Sequence, residues 1–207
     1  MPQALAVPFW PDAASLPLAG GKIILSALET PLSTDRSSAR RQVRAALCTL
    51  LGPQLNRPAA DIQLLSQPGQ PLRLADDNHA INLSVSHEPG LSLLAVGFAS
   101  RIGIDLLRQP AQPEWQDEID RLARDYLGPD SAAQLAATRN KERPRRFAEL
   151  WTQQEARLKC LGLALEEWSP ALAATLAACQ TLPLQLPAPY IGSVALAPIK
   201  AGGNPAA

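Results

Sequence analysis

Aromatic residues are scarce in this 207-residue chain, only 4% of it, so the core must be built from Leu, Ala, Val and Ile. Charge is thin too: 18% of residues are charged, and 19 Lys+Arg balance 19 Asp+Glu. A neutral chain has no global basic field with which to coat nucleic acid, and any anion must be held by a local cluster. Cysteine is limited to Cys48, Cys160 and Cys179, an odd number, far apart and without zinc spacing. That argues against a disulfide framework and points to a reducing cytoplasm. Long apolar runs are missing: the stretch from Leu163 to Leu186 is broken by Glu166, Glu167, Pro170 and Pro183, so no membrane span is expected. The first residues, with Pro8, Pro11 and Pro17 and no basic cluster, do not read as a secretion signal. There is no P-loop and no recognition-helix pattern. What remains is a hydrophobic share of 46%, enough for a packed globular core.

Periodicity and punctuation predict a mixed chain. Ile23 to Leu28 reads as a strand. Ser33 or Thr34 is expected to cap a helix reaching about Leu51, stopped by Gly52-Pro53. Val43, Leu47, Leu50 and Leu51 recur at helical spacing on its apolar side. Arg36, Arg40, Arg41 and Arg44 lie elsewhere on it with no acid between Asp35 and Asp61, either a solvated face or an anion site. Further strands are expected at Ile62 to Ser66, Ile81 to Ser86, Leu91 to Ala99 and Ile102 to Leu107. The short joint between the last two predicts an antiparallel hairpin. Helices are expected at Glu118 to Tyr126, Ser131 to Arg139 and Phe147 to Leu161, the last ending at Gly162. Ala171 to Cys179 fits helix or strand, and Tyr190 to Ala197 reads as a final strand. The expected class is α+β, in two halves that each mix helix with short antiparallel strands: an N-terminal subdomain over 1–102 and a C-terminal one over 103–207.

Three clusters can carry chemistry. Asn82-Leu83-Ser84-Val85-Ser86-His87-Glu88 ends a strand before a Pro-Gly turn. Its hydroxyls, backbone N–H groups and imidazole can hold phosphate oxygens, or merely satisfy a turn. Asp105, in Gly103-Ile104-Asp105, interrupts an apolar strand. If buried, its carboxylate needs a metal, a cation or several donors; at a strand edge it needs only water. Gly103, on the same face, would leave room for a ligand. Trp151, Glu155 and Lys159 are spaced to lie on one helix ridge. Such a carboxylate and ammonium can serve a metal and the phosphate it bridges, or form an ordinary i,i+4 pair worth ~0.2–0.5 kcal/mol.

In combination these segments resemble the signature of the 4′-phosphopantetheinyl transferases. That pattern is Gly-(Ile/Val)-Asp, followed by Trp/Phe-Ser/Thr/Cys-x-Lys-Glu-Ala/Ser-x-x-Lys. Here it reads Gly103-Ile104-Asp105 and Trp151-Thr152-Gln153-Gln154-Glu155-Ala156-Arg157-Leu158-Lys159. Asn82 to His87 is similar to the family's upstream Asn-x-Ser-x-Ser-His, and Gly69-Gln70-Pro71 to its Gly-Lys-Pro. The chain length resembles the two-domain surfactin (Sfp) type, a pseudo-dimer of two similar α/β subdomains.

The resemblance implies transfer of the 4′-phosphopantetheine arm of coenzyme A to a serine of an acyl or peptidyl carrier protein, with release of 3′,5′-ADP. It implies Mg²⁺ held by Asp105 and Glu155, Glu155 as acceptor of the serine proton, and Lys159 on the pyrophosphate. Ser86, His87, Gln70 and Arg41 match positions that contact coenzyme A. The pseudo-dimeric type further implies a monomer. There are departures as well. Leu107 stands where many members carry a third metal acid, and Glu88 is the candidate substitute. Gln70 and Gln154 replace two lysines expected to face phosphate. Those losses suit the alternative of a non-catalytic relative that only binds coenzyme A or a carrier. The segment Arg139 to Arg146, with five cations and one acid, is expected to steer an acidic carrier.

Overall fold

The structure, a computed structural model, describes residues 3–18, 21–67, 70–76, 81–109 and 116–199. Two four-stranded sheets pack face to face, each with a long helix on its outer side. The first sheet runs β2 (Ala14–Leu18), β3 (Gly21–Glu29), β7 (Leu91–Phe98), β6 (Ile81–Glu88), all antiparallel. The second runs β1 (Leu5–Ala6), β9 (Gln180–Gln185), β10 (Tyr190–Pro198), β8 (Ser100–Arg108), antiparallel except for β1 on β9. A two-residue pair, β4 (Leu64–Leu65) with β5 (Arg73–Leu74), stands apart.

Strand periodicity explains the layering. Ile23, Leu25 and Ala27 point one way from β3 and meet Ile102, Ile104, Leu106 and Val194 of the other sheet. Ile24 and Leu28 point the other way, onto Val43, Leu47 and Leu51 of α1 (Arg36–Leu55). Both faces are covered, so β3 is buried continuously from Ile23 to Leu28 rather than alternating. On the second sheet Ala195 and Ala197 receive Ala156 and Cys160 of α4 (Arg143–Leu161). Helices α2 (Gln116–Leu122), α3 (Pro129–Ala136) and α5 (Pro170–Leu176) complete the described part, a π-helical turn at Ala123–Leu127 following α2.

The two halves share one strand order. In each, a first strand is followed by a long helix and then a hairpin, and the last strand lies between the other two. The trios are β3, β6, β7 and β8, β9, β10.

Several sequence expectations are corrected. The strands at Leu91 to Ala99 and Ile102 to Leu107 do not form a hairpin. β7 pairs with β6 and β3, whereas β8 pairs with β10 in the other sheet. Ala99, at φ 55°, turns the chain between sheets, and Gly97 lets Ser100 and Ile102 pass close to β7. The cap of α1 is Asp35, not Ser33 or Thr34. Its carboxylate accepts from the hydroxyls of Ser37 and Ser38 and from their N–H groups, and these bonds, the hydroxyls' first, hold its pKa well below the usual carboxylate range. Pro53 does not stop α1; the helix runs on to Leu55 and closes at Asn56, at φ 53°. The stretch from Ala171 resolves as helix α5, with Ser169 accepting from the Leu172 N–H. Gly69 of the Gly-Gln-Pro segment lies outside the described residues.

Candidate active site

The site begins at the seam between the sheets. Edge strands β6 and β8 lie side by side without a backbone ladder. Two serines make the join instead: Ser84 Oγ accepts from the Ile104 N–H at 2.9 Å and Ser86 Oγ from the Leu106 N–H at 3.2 Å. These are the serines of the Asn-x-Ser-x-Ser-His segment, both buried.

Asp105 comes next. It is only 6% exposed, so its carboxylate needs partners. Ser86 Oγ donates to Oδ1 at 2.9 Å and Lys159 Nζ stands 2.6 Å from the same oxygen. The edge-strand alternative, Asp105 facing water, is thereby excluded. Gly103 is not open to a ligand as expected. A Cβ there would lie 2.0 Å from the Ala156 carbonyl oxygen and 2.3 Å from the Cys160 nitrogen. Gly103 therefore lets α4 settle onto β8, which carries Lys159 over Asp105. Thr152 and Ser193, their hydroxyls 3.0 Å apart, pin the same helix to β10.

A cleft of about 760 Å³ opens above this seam, between α1 and α4. Asp105, Glu155, Lys159, Glu88, Ser86, His87 and Gln70 all line it. Burial raises the Glu155 pKa first, the Asp105 charge adds to that, and Lys159 opposes it. Glu88 is raised in the same order by burial and Asp105, against the Arg108 backbone, Arg108 and Arg36. Glu155 and Glu88 thus both feel the Asp105 charge. His87 is held down to about 4, by burial first and then by Arg40, Arg36 and Lys159, and is neutral at pH 7. Its Nδ1 meets Ser92 Oγ at 2.9 Å.

The other wall is basic, though not through Arg41. Arg36, Arg40 and Arg44, one helical turn apart, line the cleft. Arg41 sits a further 100° around α1, exposed and hydrogen-bonded to Ser37 and Ser38. The four-residue spacing was the available signal for the three that line the cleft. Gln154 is likewise no substitute for a phosphate-facing lysine, because it is buried and donates to the Tyr126 carbonyl. Trp151 both lines the cleft and packs on Phe147 and Tyr126. The basic segment is elsewhere: Arg143 pairs with Asp120, while Arg145 and Arg146 pair with Glu149 and line a separate groove.

A buried acid in the middle of a Gly-Ile-Asp strand, paired with a lysine, thus faces an arginine row. Residues 101–191 match the family description "4′-phosphopantetheinyl transferase superfamily". The matched stretch is under half of this chain. Among curated relatives, the 4′-phosphopantetheinyl transferase HetI of Nostoc sp. is 29% identical over 142 residues, 67% of this chain and 57% of HetI. A Synechocystis sp. protein named as a candidate 4′-phosphopantetheinyl transferase, slr0495, is 28% identical over 121 residues, 58% of this chain and 48% of that protein. The chain therefore spans about half the length of these relatives. The superfamily match begins with β8 and ends in β10, and so contains Asp105, Glu155 and Lys159; Glu88, His87 and the arginines lie before it.

The donor set suits a hard divalent cation in kind and charge, since the carboxylates of Asp105, Glu155 and Glu88 line one cleft, offset by Lys159 and, at Glu88, by Arg108 and Arg36. Among the described residues no three such side chains already form a metal cage. Mg²⁺ does not require one, being commonly held by one or two carboxylates plus substrate phosphates. Among the described residues no helix is long and apolar enough to cross a membrane.

Proposed function

We propose that this chain transfers 4′-phosphopantetheine from coenzyme A to a serine of an acyl or peptidyl carrier protein. The observation that carries this reading is the Asp105–Lys159 pair, with Glu155 beside it, facing Arg36, Arg40 and Arg44 across one cleft. One end suits a cation, the other a polyanion, and coenzyme A with a divalent ion presents both.

The arginine row receives the phosphate-rich nucleotide end, where guanidinium groups match phosphate oxygens in pairs. Gln70 stands on the same wall as a neutral donor. His87, neutral and surrounded by cations, offers its second ring nitrogen, which has no hydrogen-bond partner among the described residues. Lys159 moves from Asp105 onto the pyrophosphate and remains a point charge there as the leaving oxygen becomes anionic. Glu155, made a stronger base by burial and Asp105, takes the carrier serine proton. The serine oxygen bonds to the β-phosphorus, the bond to the bridging oxygen breaks, and 3′,5′-ADP leaves. Asp105, Glu155 and, in place of the missing acid at Leu107, Glu88 would hold Mg²⁺, which supplies charge neutralisation at the pyrophosphate.

The shared strand order of the two halves supports the pseudo-dimeric surfactin type, working as a cytoplasmic monomer. In this reading the two subdomains meet near residue 102, close to Ala99 where the chain passes from β7 to β8. The test is release of 3′,5′-ADP from coenzyme A. It should require both an apo carrier and Mg²⁺. Tight coenzyme A binding with no release on any of a panel of carriers would favour the non-catalytic alternative.

A further inference from the structure

We infer that Cys160 and Cys179 form an oxidation site, at which hydrogen peroxide joins the two sulfurs in a reversible disulfide that clamps the end of α4 to the start of β9. The inference does not depend on the transferase reading. Cys160 is in the last turn of α4 and Cys179 directly precedes β9. Both side chains are buried in one small cluster with Ala156, Ala195 and Ala197. Two relationships bring the sulfurs to one spot. The Ala197 N–H donates to the Cys160 sulfur. The register of β9 on β10 sets Gln180 opposite Leu196, which brings the preceding Cys179 beside Ala197. There the thiols meet, Cys160 donating to Cys179. Cys179 in turn donates to the Arg157 carbonyl, its Sγ 4.0 Å from that oxygen.

The surroundings make the two sulfurs unequal. The hydrogen bond from Cys160 favours a thiolate at Cys179; burial opposes it, and Arg157 and Arg101 add positive charge in its favour. Arg157 has its Nε buried with no hydrogen-bond partner among the described residues, so it gains an anion when Cys179 ionises. Cys160 is kept a thiol by the bond it donates and then by burial. Cys179 is therefore the nucleophile and Cys160 the resolving thiol. The Cys179 sulfur bonds to one peroxide oxygen, the O–O bond breaks and hydroxide leaves, taking up the proton that Cys179 released. The Cys160 sulfur then bonds to the sulfenic sulfur, the S–O bond breaks, and the Cys160 proton leaves with that oxygen as water. Two thiols have lost two electrons to one peroxide, and two waters have formed. Because Cys179 is only 8% exposed, the site admits an oxidant of near water size and excludes bulky disulfides. The new bond closes the segment bearing α5 into a ring, which restricts the unfolded chain. In a reducing compartment the dithiol is the resting form, and all three cysteines are free in this structure.

The experiment treats the full chain with hydrogen peroxide, blocks remaining thiols with iodoacetamide and maps peptides without reduction. Cys48 is the internal control, since it lies on α1 in the other half with its sulfur on the Ile62 carbonyl. The expected result is one linked pair, Cys160 with Cys179, in a chain lighter by two hydrogens, with Cys48 alkylated. The oxidised chain should melt about 5 °C higher, and dithiothreitol should reverse the gain. Glutathione disulfide should leave no adduct on either residue. Cys160→Ala should stop at a sulfenic acid on Cys179, trapped by dimedone, whereas Cys179→Ala should leave Cys160 unmodified. Absence of the linked peptide from the peroxide-treated parent chain, a map that needs no variant to fold, would overturn the inference. So would an oxidised chain that melts no higher than the reduced one, or a sulfenic acid trapped at Cys160 in Cys179→Ala.

Discussion

Lys159 Nζ and Asp105 Oδ1 stand 2.6 Å apart although 54 residues separate them in the chain. The pair is asymmetric: the carboxylate side chain is 9% exposed and the lysine 32%. Lys159 can therefore swing toward an arriving phosphate while Asp105 stays fixed by Ser86. Gly103 is the device that makes the meeting possible, since any side chain there would push α4 off β8.

Asp105→Ala and Glu155→Gln should each lower kcat/KM by at least ~10², roughly 2.7 kcal/mol of transition-state stabilisation. Circular dichroism should show the fold retained, because Lys159 can reach water once its partner is gone. In the parent enzyme the acid limb of kcat/KM against pH should lie above 4.5, the ordinary glutamate value from which Glu155 is raised. It should be missing from whatever residual activity Glu155→Gln keeps. Near-normal turnover of either variant at saturating Mg²⁺ would remove that residue from the site.

Glu88 is tested by metal dependence. Glu88→Ala should raise the Mg²⁺ concentration for half-maximal rate several-fold, and Glu88→Gln less, since an amide oxygen can still coordinate a hard cation. An unchanged requirement in Glu88→Ala would leave the third position to water.

The arginine row makes a contrast between neighbours. Arg40→Ala should weaken coenzyme A binding about tenfold, as expected for loss of a charge-assisted contact worth ~1.5–3 kcal/mol. Arg41→Ala should stay within twofold, because its guanidinium is spent on Ser37 and Ser38. Calorimetry with 3′,5′-ADP distinguishes the two, and an equal loss in both would contradict the assigned helix face.

Histidine offers a clean titration, as the chain has only two. One imidazole signal, lost in His87→Asn, should titrate near 4 rather than 6.5. Below pH 6.5 the unfolded chain takes up a proton that folded His87 refuses, so this residue's contribution to stability falls from about pH 6.5 down to about 4. The drop in melting temperature across that window should therefore be smaller in His87→Asn than in the parent. Bound 3′,5′-ADP, by screening Arg36 and Arg40, should move the signal upward. An unshifted His87 titration would mean the imidazole is not buried among those cations.

Much of this site was legible because its residues are chemically odd for their surroundings. An acid in the apolar run Ile102 to Leu107, and a Glu and Lys one turn apart below a Trp, stand out against helix and strand periodicity. What was not legible depended on packing. Gly103 looked like space for a ligand and is space for a helix backbone. Arg41 looked equivalent to Arg40, but only the observed roll of α1 separates them. Arg143 looked like part of a surface patch, yet it pairs with Asp120 and its Nε is buried. Closeness in sequence also misled at β7 and β8, where a short joint signalled a hairpin and Ala99 instead delivers the chain to a second sheet. Long-range pairing of β8 with β10 decided that, and local patterns carry no record of it.

Intact mass spectrometry of an apo carrier protein incubated with this chain, coenzyme A and Mg²⁺ should show a single addition of phosphopantetheine, abolished when the carrier's target serine is replaced by alanine and when the Asp105→Ala variant replaces the parent chain. No mass gain on any acyl or peptidyl carrier, from a folded chain that binds coenzyme A in the Arg36–Arg44 cleft, would contradict the transferase reading.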